Sequence, residues 1–368
     1  KLQVQHARLL RRVRGSAMQR IALLLVGVVT EPVFGWLDCD VSPPASIGPF
    51  PTALDNATYH GHEFYIQFPR KPYSDAFPAV VFMHGMTLGW EWYARHTSQW
   101  SSHGFVVVFP FVKGVLKDDG IVPVTETDAK SIYAAVEFLK ALTNGSIQKP
   151  ANFVGAVDVD NIGLVGHSMG GENTIRAAAG VRVPPGMPPL PAGAMKVAIA
   201  QHPSLCTFPP PYPYTISKAE ISSASLNAPL LLFTAENDRA FLPGTPGKEH
   251  TCWKAATGRS LFASFKASVC GRYPSCSVMT GADGCAAKVA VVGSGHMCAC
   301  DAPGFDTWTS PELKWVTTAL RLYLHHNASS VCGALLWGGG DQSLKRDPNV
   351  ASVEEVGSPQ MSVAPFVV

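Results

Sequence analysis

Short, nearly unbroken apolar runs bounded by Gly, Pro and Asp recur along the chain. They fall at Glu63–Phe68, Ala79–Met83, Phe105–Phe109, Ile162–Val165, Val197–Ala200, Pro229–Phe233 and Val289–Val292. A strand with one wet face alternates polar and apolar residues, whereas uniformly apolar runs suit strands covered on both faces. Between these runs the apolar period lengthens to that of a helix. Ile132, Ala135, Val136, Leu139 and Leu142 form one stripe, and Asp128 near its start suits the positive end of a helix. Glu172–Ala179 predicts a helix stopped by Gly180. Ser310-Pro311 opens a last helix with Leu313, Val316, Leu320 and Leu324 on one side, its proline placed where a missing N–H costs least. Strands alternating with helices predict an α/β fold on a doubly wound, mostly parallel sheet.

Two stretches interrupt the rhythm. Phe208–Tyr214 (FPPPYPY) predicts a stiff, polyproline-like segment. Residues 239–287 separate two expected strands by more than an ordinary connection, and hold Cys252, Cys270, Cys276 and Cys285. A folded, disulfide-stapled insertion is expected there. The Gly- and Ser-rich tail, 333–368, shows no clear pattern and is expected to be peripheral. The expected organisation is residues 1–35 as leader and upstream residues, 36–332 as the catalytic domain with its 239–287 insertion, and 333–368 as tail.

Composition narrows the class. Hydrophobic residues make up 46% of the 368 and charged residues 15%, so the chain is rich in core-forming side chains. A net charge of +2 without long basic blocks argues against nucleic acid as a partner. The N-terminal residues are basic (Arg11, Arg12, Arg14, Arg20), and an apolar run follows from Ile21 to Val29. That run is too short for a hydrocarbon core that needs about 20 residues, so no stable membrane span is expected. A basic flank, a short apolar run and small residues near Gly35 predict a secretory signal peptide, with synthesis starting at Met18 and cleavage near Gly35. All nine cysteines follow residue 36, seven of them between Cys252 and Cys332, which suits disulfides in an oxidising compartment. Asn56-Ala-Thr, Asn144-Gly-Ser and Asn327-Ala-Ser are glycan acceptor sequences.

Chemistry concentrates at four places. Gly166-His167-Ser168-Met169-Gly170 lies between a predicted strand and a predicted helix, as a nucleophile elbow requires. Serine at its normal pKa is a poor nucleophile and needs a histidine base held by a carboxylate. Thr234-Ala-Glu-Asn-Asp238 follows the next strand, where Glu236 and Asp238 compete for the acid role and Asp238 lies further into the loop. Gly293-Ser-Gly-His296 ends the last predicted strand. Of the twelve histidines only His250, His296, His325 and His326 follow Asp238, and His296 alone stands at a strand end. Cys298 and Cys300 beside it lack the usual zinc-site spacing, so the site is expected to work without metal or cofactor. The Met169 amide, with Met86 in His84-Gly85-Met86-Thr87, is expected to form the oxyanion hole. His84, His103 and His202 are expected to be hydrogen-bonded structural residues, and His167 to point elsewhere on the elbow. Met86, Thr87, Trp90 and Ser204 are the expected substrate contacts; Trp90, Trp92, Tyr212 and Tyr214 are candidate aromatic walls, with core or loop packing the expected role of any single one.

With these residues in place, the chain resembles the secreted α/β-hydrolase esterases grouped with bacterial cutinases and poly(ethylene terephthalate) hydrolases, relatives of chlorophyllases and platelet-activating-factor acetylhydrolases. The likeness rests on Ser101-Ser-His-Gly-Phe-Val-Val-Val108, Gly166-His-Ser-Met-Gly-Gly171, Ala235-Glu-Asn-Asp238 and Gly293-Ser-Gly-His296, within residues 60–330. It implies an α/β-hydrolase fold, Ser168, Asp238 and His296 as a triad, and the Met86 and Met169 amides as oxyanion donors. The polyester hydrolases carry an aromatic residue at the position of Met86 and a Trp where this chain has Ser204. Their disulfide joins a cysteine at the position of Ala235 to one resembling Cys298, a pairing that Ala235 breaks.

The expectation is a secreted, monomeric serine esterase that cleaves small-molecule or polymer esters through an acyl-enzyme. Its activity should rise through about pH 6–7, where an ordinary imidazole loses its proton. The alternatives are a chlorophyllase-like or lipid acetyl-ester hydrolase, and a hydrolase fold that binds without catalysis.

Overall fold

The computed structural model describes residues 47–70, 76–85, 88–112, 116–117, 120–121, 125–150, 153, 155–181, 183–190, 193–203, 228–238, 260–273, 294–302, 309–325 and 330–356. The leader segment, Phe208–Tyr214, the strand expected at Val289–Val292, His250, and the cysteines at 39, 206, 252, 276 and 285 lie outside them.

Among the described residues nine strands form one sheet: β1 (Thr52–Tyr59), β2 (His62–Pro69), β3 (Phe77–Met83), β4 (Val106–Phe111), β5 (Val157–His167), β6 (Met195–Gln201), β7 (Leu230–Ala235), β8 (Ser260–Phe265) and β9 (Val350–Val356). Their spatial order is β1-β2-β4-β3-β5-β6-β7-β8-β9. The run from β4 to β8 is parallel, and β1, β2 and β9 pair antiparallel at the two ends. The apolar runs read from the sequence form the centre. Every residue of β3, β7 and β8 is buried, as strands covered on both faces must be. β1, unmarked by any uniform apolar run, alternates half-buried and exposed positions at one edge. It reaches β2 through His60 (φ 48°) and Gly61 (φ 80°), the two left-handed residues that a tight hairpin needs.

Among the described residues the α-helices are α1 (Ala94–Ser102), α2 (Thr125–Thr143), α3 (Met169–Ala179), α4 (Ala267–Cys270), α5 (Leu313–Leu324) and α6 (Ser330–Trp337). A side chain at Gly166 would strike α3 at Gly170 and Thr174, whereas one at Gly163 would meet Leu320 and Leu324 of α5. Residues three apart on a strand point to opposite faces, so α3 and α5 cover opposite faces of β5. The sheet is therefore wound on both sides. The stripe expected on α5 is the buried one: Leu313, Val316, Leu320 and Leu324 are all in the core. This mixed α/β architecture, with its large and mostly parallel sheet, is compatible with an α/β-hydrolase.

Two regions differ from expectation. The segment 239–287 is not wholly an insertion, because β8 inside it is a sheet strand in parallel register with β7. Leu261, Phe262, Ala263 and Phe265 bury there, so the connection from the acid strand passes through the core. Of the cysteines in this segment, Cys270 pairs with Cys298, and Cys252, Cys276 and Cys285 lie outside the described residues. The tail read as peripheral contributes α6 and the edge strand β9. Glu354 and Glu355 on that strand, with a Lys345–Glu355 ion pair at 2.8 Å, keep the edge charged.

Candidate active site

β5 ends at His167, α3 begins at Met169, and Ser168 fills the joint with φ 57° and ψ −123°. A non-glycine residue at positive φ is uncommon, and here neighbours hold it. The Ser168 N–H donates to Gln201 O of β6 (2.8 Å), and Ser168 O accepts the Glu172 N–H (3.1 Å). The flanking glycines answer to close approach. A Cβ at Gly166 would collide with the Gly170 carbonyl, and one at Gly170 with the Met83 carbonyl of β3. The joint sets Ser168 at the N-terminus of an eleven-residue helix, whose positive end favours an anion.

Asp238 follows β7, its N–H donating to Ala235 O (3.0 Å), and its side chain is fully buried. Its competitor Glu236 is exposed and accepts the Ala267 N–H at 2.9 Å, away from the serine. His296 sits in a 3-10 turn, Ser294–Ala299. Gly295 lets that turn press on the acid loop, since a Cβ there would strike the backbone of Asn237 and Asp238. Three side chains far apart in sequence thereby meet. His296 Nε2 lies 2.8 Å from Ser168 Oγ, and Nδ1 lies 3.0 and 3.2 Å from the Asp238 carboxylate oxygens. A carboxylate only accepts, so Nδ1 carries the proton and Nε2 is free to accept from the serine hydroxyl. Burial alone would push the Asp238 carboxyl up. The neighbouring imidazoles of His296 and His202, which also donate to it, outweigh burial and hold it well below the usual carboxylate range.

The turn carrying His296 is fixed from several sides. Cys298 is bonded to Cys270 of α4, so the cysteine left without the Ala235 partner has found another. The Asp301 N–H donates to Trp92 O (2.7 Å), and the Asp301 carboxylate accepts the Arg95 N–H (2.7 Å) and pairs with His96 Nδ1 (2.9 Å). Tyr273 Oη–H donates to Asp301 O at 2.8 Å.

Two groups of residues were not anticipated as parts of the site. His167, expected to point elsewhere, lies under the serine, where its Nε2–H donates to His296 O (2.8 Å) and its Nδ1 accepts from Tyr93 Oη–H (2.8 Å). That hydroxyl accepts the Gly85 N–H (3.0 Å), joining the histidine turn to the loop after β3. Burial first, then the neighbouring His296 and His202, push the His167 pKa well below normal, which suits a neutral ring. His202, expected to be merely structural, bonds the Asp238 carboxylate through Nδ1 (2.6 Å) and Glu312 through Nε2 (2.5 Å). Glu312 also accepts from Gln201 Nε2 (2.8 Å). The partners lie 36 and 110 residues from His202, so no local pattern marks them. A weak signal did exist in Gln201-His202-Pro203, a polar pair at the end of an apolar strand.

His84 has the structural role expected, with Nδ1–H donating to Gly85 O (2.8 Å) and Nε2 accepting the Val112 N–H (3.0 Å). Met169 is buried at the first turn of α3. Trp90 is half-buried with its ring 5.8 Å from that of Tyr65, and Trp92 is in the core. Met86, Thr87, Ser204, Tyr212 and Tyr214 lie outside the described residues. Among the described residues one group has ligand atoms close enough to hold a metal ion, His202, Asp238 and His296, all within 4.8 Å. Imidazole N–H groups already donate to this Asp238 carboxylate, which makes the group a hydrogen-bond network.

Residues 55–183 match the chlorophyllase family. That is about a third of the chain, running from β1 through the elbow to the end of α3. It includes Ser168 and stops short of Asp238 and His296. The match is to an α/β-hydrolase-like family of ester hydrolases, and it does not extend to the cutinase and polyester-hydrolase assignment. No curated protein matches the chain by sequence.

Proposed function

We propose that the protein is a serine hydrolase of carboxylic esters, with Ser168 as nucleophile, His296 as general base and Asp238 as its orienting carboxylate. The reading rests on one observation, the unbroken Ser168–His296–Asp238 hydrogen-bond chain at a strand–helix joint. His296 Nε2 takes the serine proton as Oγ attacks the ester carbonyl, and the imidazolium that forms stays paired with Asp238. The Met169 amide, beside the nucleophile at the start of α3, and the Met86 amide are assigned to the developing oxyanion. The alcohol leaves with the proton from His296. Water, activated by the same nitrogen, then releases the acid from the acyl-enzyme.

For the ester itself, a chlorophyllase-like substrate is the reading favoured, supported by the match over residues 55–183. Polyester cleavage is the second reading, supported by the four short motifs shared with polyester hydrolases. Met86 and Ser204 stand where those enzymes carry aromatic residues, which weighs against it. Secretion is part of the proposal, on the strength of the apolar run at Ile21–Val29 and a disulfide beside the site; Asn56 and Asn144 are exposed, as glycan acceptors must be.

Rates on p-nitrophenyl butyrate, p-nitrophenyl octanoate, chlorophyll and a polyester film separate these readings. Turnover of the small esters with chlorophyll and without film is expected. Film hydrolysis outpacing chlorophyll hydrolysis would reverse the ranking, and no hydrolysis of any ester would leave the non-catalytic fold.

A further inference from the structure

Asp238 has a second imidazole partner besides His296. His202 stands one residue past β6 with φ 49°, its N–H donating to Phe233 O of β7 (2.7 Å). This left-handed backbone turns the ring out of the strand direction and between two carboxylates. Nδ1 faces Asp238 Oδ2 at 2.6 Å and Nε2 faces Glu312 Oε1 at 2.5 Å, and all three side chains are buried completely. Carboxylates accept and do not donate, so the ring satisfies both contacts only as an imidazolium with two N–H groups. Glu312 is held in turn, Gln201 donating to its other oxygen and its own N–H donating to Ser310 Oγ (3.3 Å).

We infer that His202 and Glu312 are positioning residues for the reaction proposed above: a fixed buried cation, held charged by Glu312, that binds Asp238 Oδ2, leaves Oδ1 as the nearer acceptor for His296, and limits how strongly Asp238 favours protonated His296. The effect depends on the whole set of nearby groups. Around His202 are Asp238 and Thr234 from β7 and its loop, Glu312 at the start of α5, Gln201 on its own strand, and the rings of His167 and His296 at 5.9 and 5.7 Å. Around His296 are Ser168, Asp238, His202 and the ring of His167 at 5.1 Å, with Tyr93 and Cys300 on the far side of His167. Burial would push the His202 pKa down, but the Glu312 charge and the hydrogen bonds that the ring donates to both carboxylates overcome it and carry it up to about 10. Of the imidazoles in this group, His202 alone lies between two carboxylates.

A Ser–His–Asp chain without this cation would leave Asp238 as a bare neighbouring charge and favour protonated His296 more strongly. The test is a pair of variants, His202→Gln and the neutral double variant His202→Gln/Glu312→Gln, which strands no buried charge. The pH dependence of kcat/KM is measured on p-nitrophenyl butyrate, with fluorophosphonate labelling of Ser168 as a check that the site is assembled. In His202→Gln the acidic limb is expected to move up by about one pH unit, since a unit positive charge is removed close to the base, and in the double variant, which also removes the more distant Glu312 charge, it is expected to move up by less. A double variant that labels normally and gives a limb superimposable on that of the unaltered chain overturns the inference, because restored packing alone then suffices. Nitrogen-15 NMR of histidine-labelled, unaltered protein decides independently of activity and of the variants' folding. One imidazole with both nitrogens protonated at pH 8 is expected, and all rings neutral at that pH contradicts the inference. If the unaltered chain labels with fluorophosphonate and turns over no ester, the functional proposal fails, and the NMR result still tests the buried cation.

Discussion

Ser168 and His202 both hold positive φ at the C-terminal ends of adjacent strands, and both turn a side chain toward Asp238 and His296. Each is pinned by a backbone bond to the neighbouring strand, Ser168 N–H to Gln201 O and His202 N–H to Phe233 O. The parallel register of β5, β6 and β7 thus fixes the site at single residues. Beneath it, one phenol couples two loops: Tyr93 Oη accepts from Gly85 and donates to His167, which donates to His296 O. Tyr93→Phe leaves the buried Gly85 N–H and His167 Nδ1 without these partners, at a cost of about 1–3 kcal/mol of local order. Turnover of p-nitrophenyl butyrate should fall roughly tenfold in kcat with little change in KM, because the loop after β3 and the base are aimed less well. An unchanged kcat in a folded Tyr93→Phe protein would show that this bridge plays no part in aiming either loop.

At the scale of elements, the parallel centre of the sheet was legible because β3, β4, β6 and β7 are short apolar runs, and the elbow because its strand and helix flank a glycine-bounded serine. β8 escaped notice because Ser260–Phe265 (SLFASF) is broken by two serines and lies in a turn-rich stretch of scattered cysteines. β9 escaped because an edge strand with exposed Ala351, Ser352 and Glu355 lacks the apolar signature of the centre. Ser168 and Asp238 could be read because each follows a strand, and His296 because it follows an apolar run in the sequence, whereas Glu312 carries no mark beyond that of an acidic residue at a helix start. β9 also carries a testable load. It covers β8, and Asp347 Oδ2 in the turn before it accepts from the Trp315 Nε1–H at 2.9 Å. Deleting residues 343–368 opens the β8 edge and should lower Tm by roughly 5–10 °C and promote aggregation. Melting and light scattering of the truncated chain that match the full chain would contradict the role assigned to β9.

For the whole molecule, the buried network ties folding stability to pH with a definite sign. An unfolded histidine titrates near 6.5, whereas folded His202 does so at about 10, so folding takes up a proton between these values. The stability from His202 is complete below about pH 6.5 and is lost as pH rises toward 10, at up to about 1.4 kcal/mol per pH unit. Asp238, held below the usual range, works oppositely: its contribution is complete above about pH 4 and is lost as pH falls through its folded value. Denaturant midpoints should therefore decline from pH 6.5 to 10 in the unaltered chain and decline less in His202→Gln/Glu312→Gln; parallel declines would contradict the buried cation. Among the described residues no helix is long and apolar enough to cross a membrane, and Gly85, Ser168, His202 and Asp238 follow the C-terminal ends of β3, β5, β6 and β7, at one end of the sheet. The most direct test of the account is hydrolysis of p-nitrophenyl butyrate by the full chain beside Ser168→Ala. The account predicts turnover that falls by at least about 10⁴-fold in the variant, with the fold unchanged by circular dichroism. Equal turnover by both proteins would contradict it.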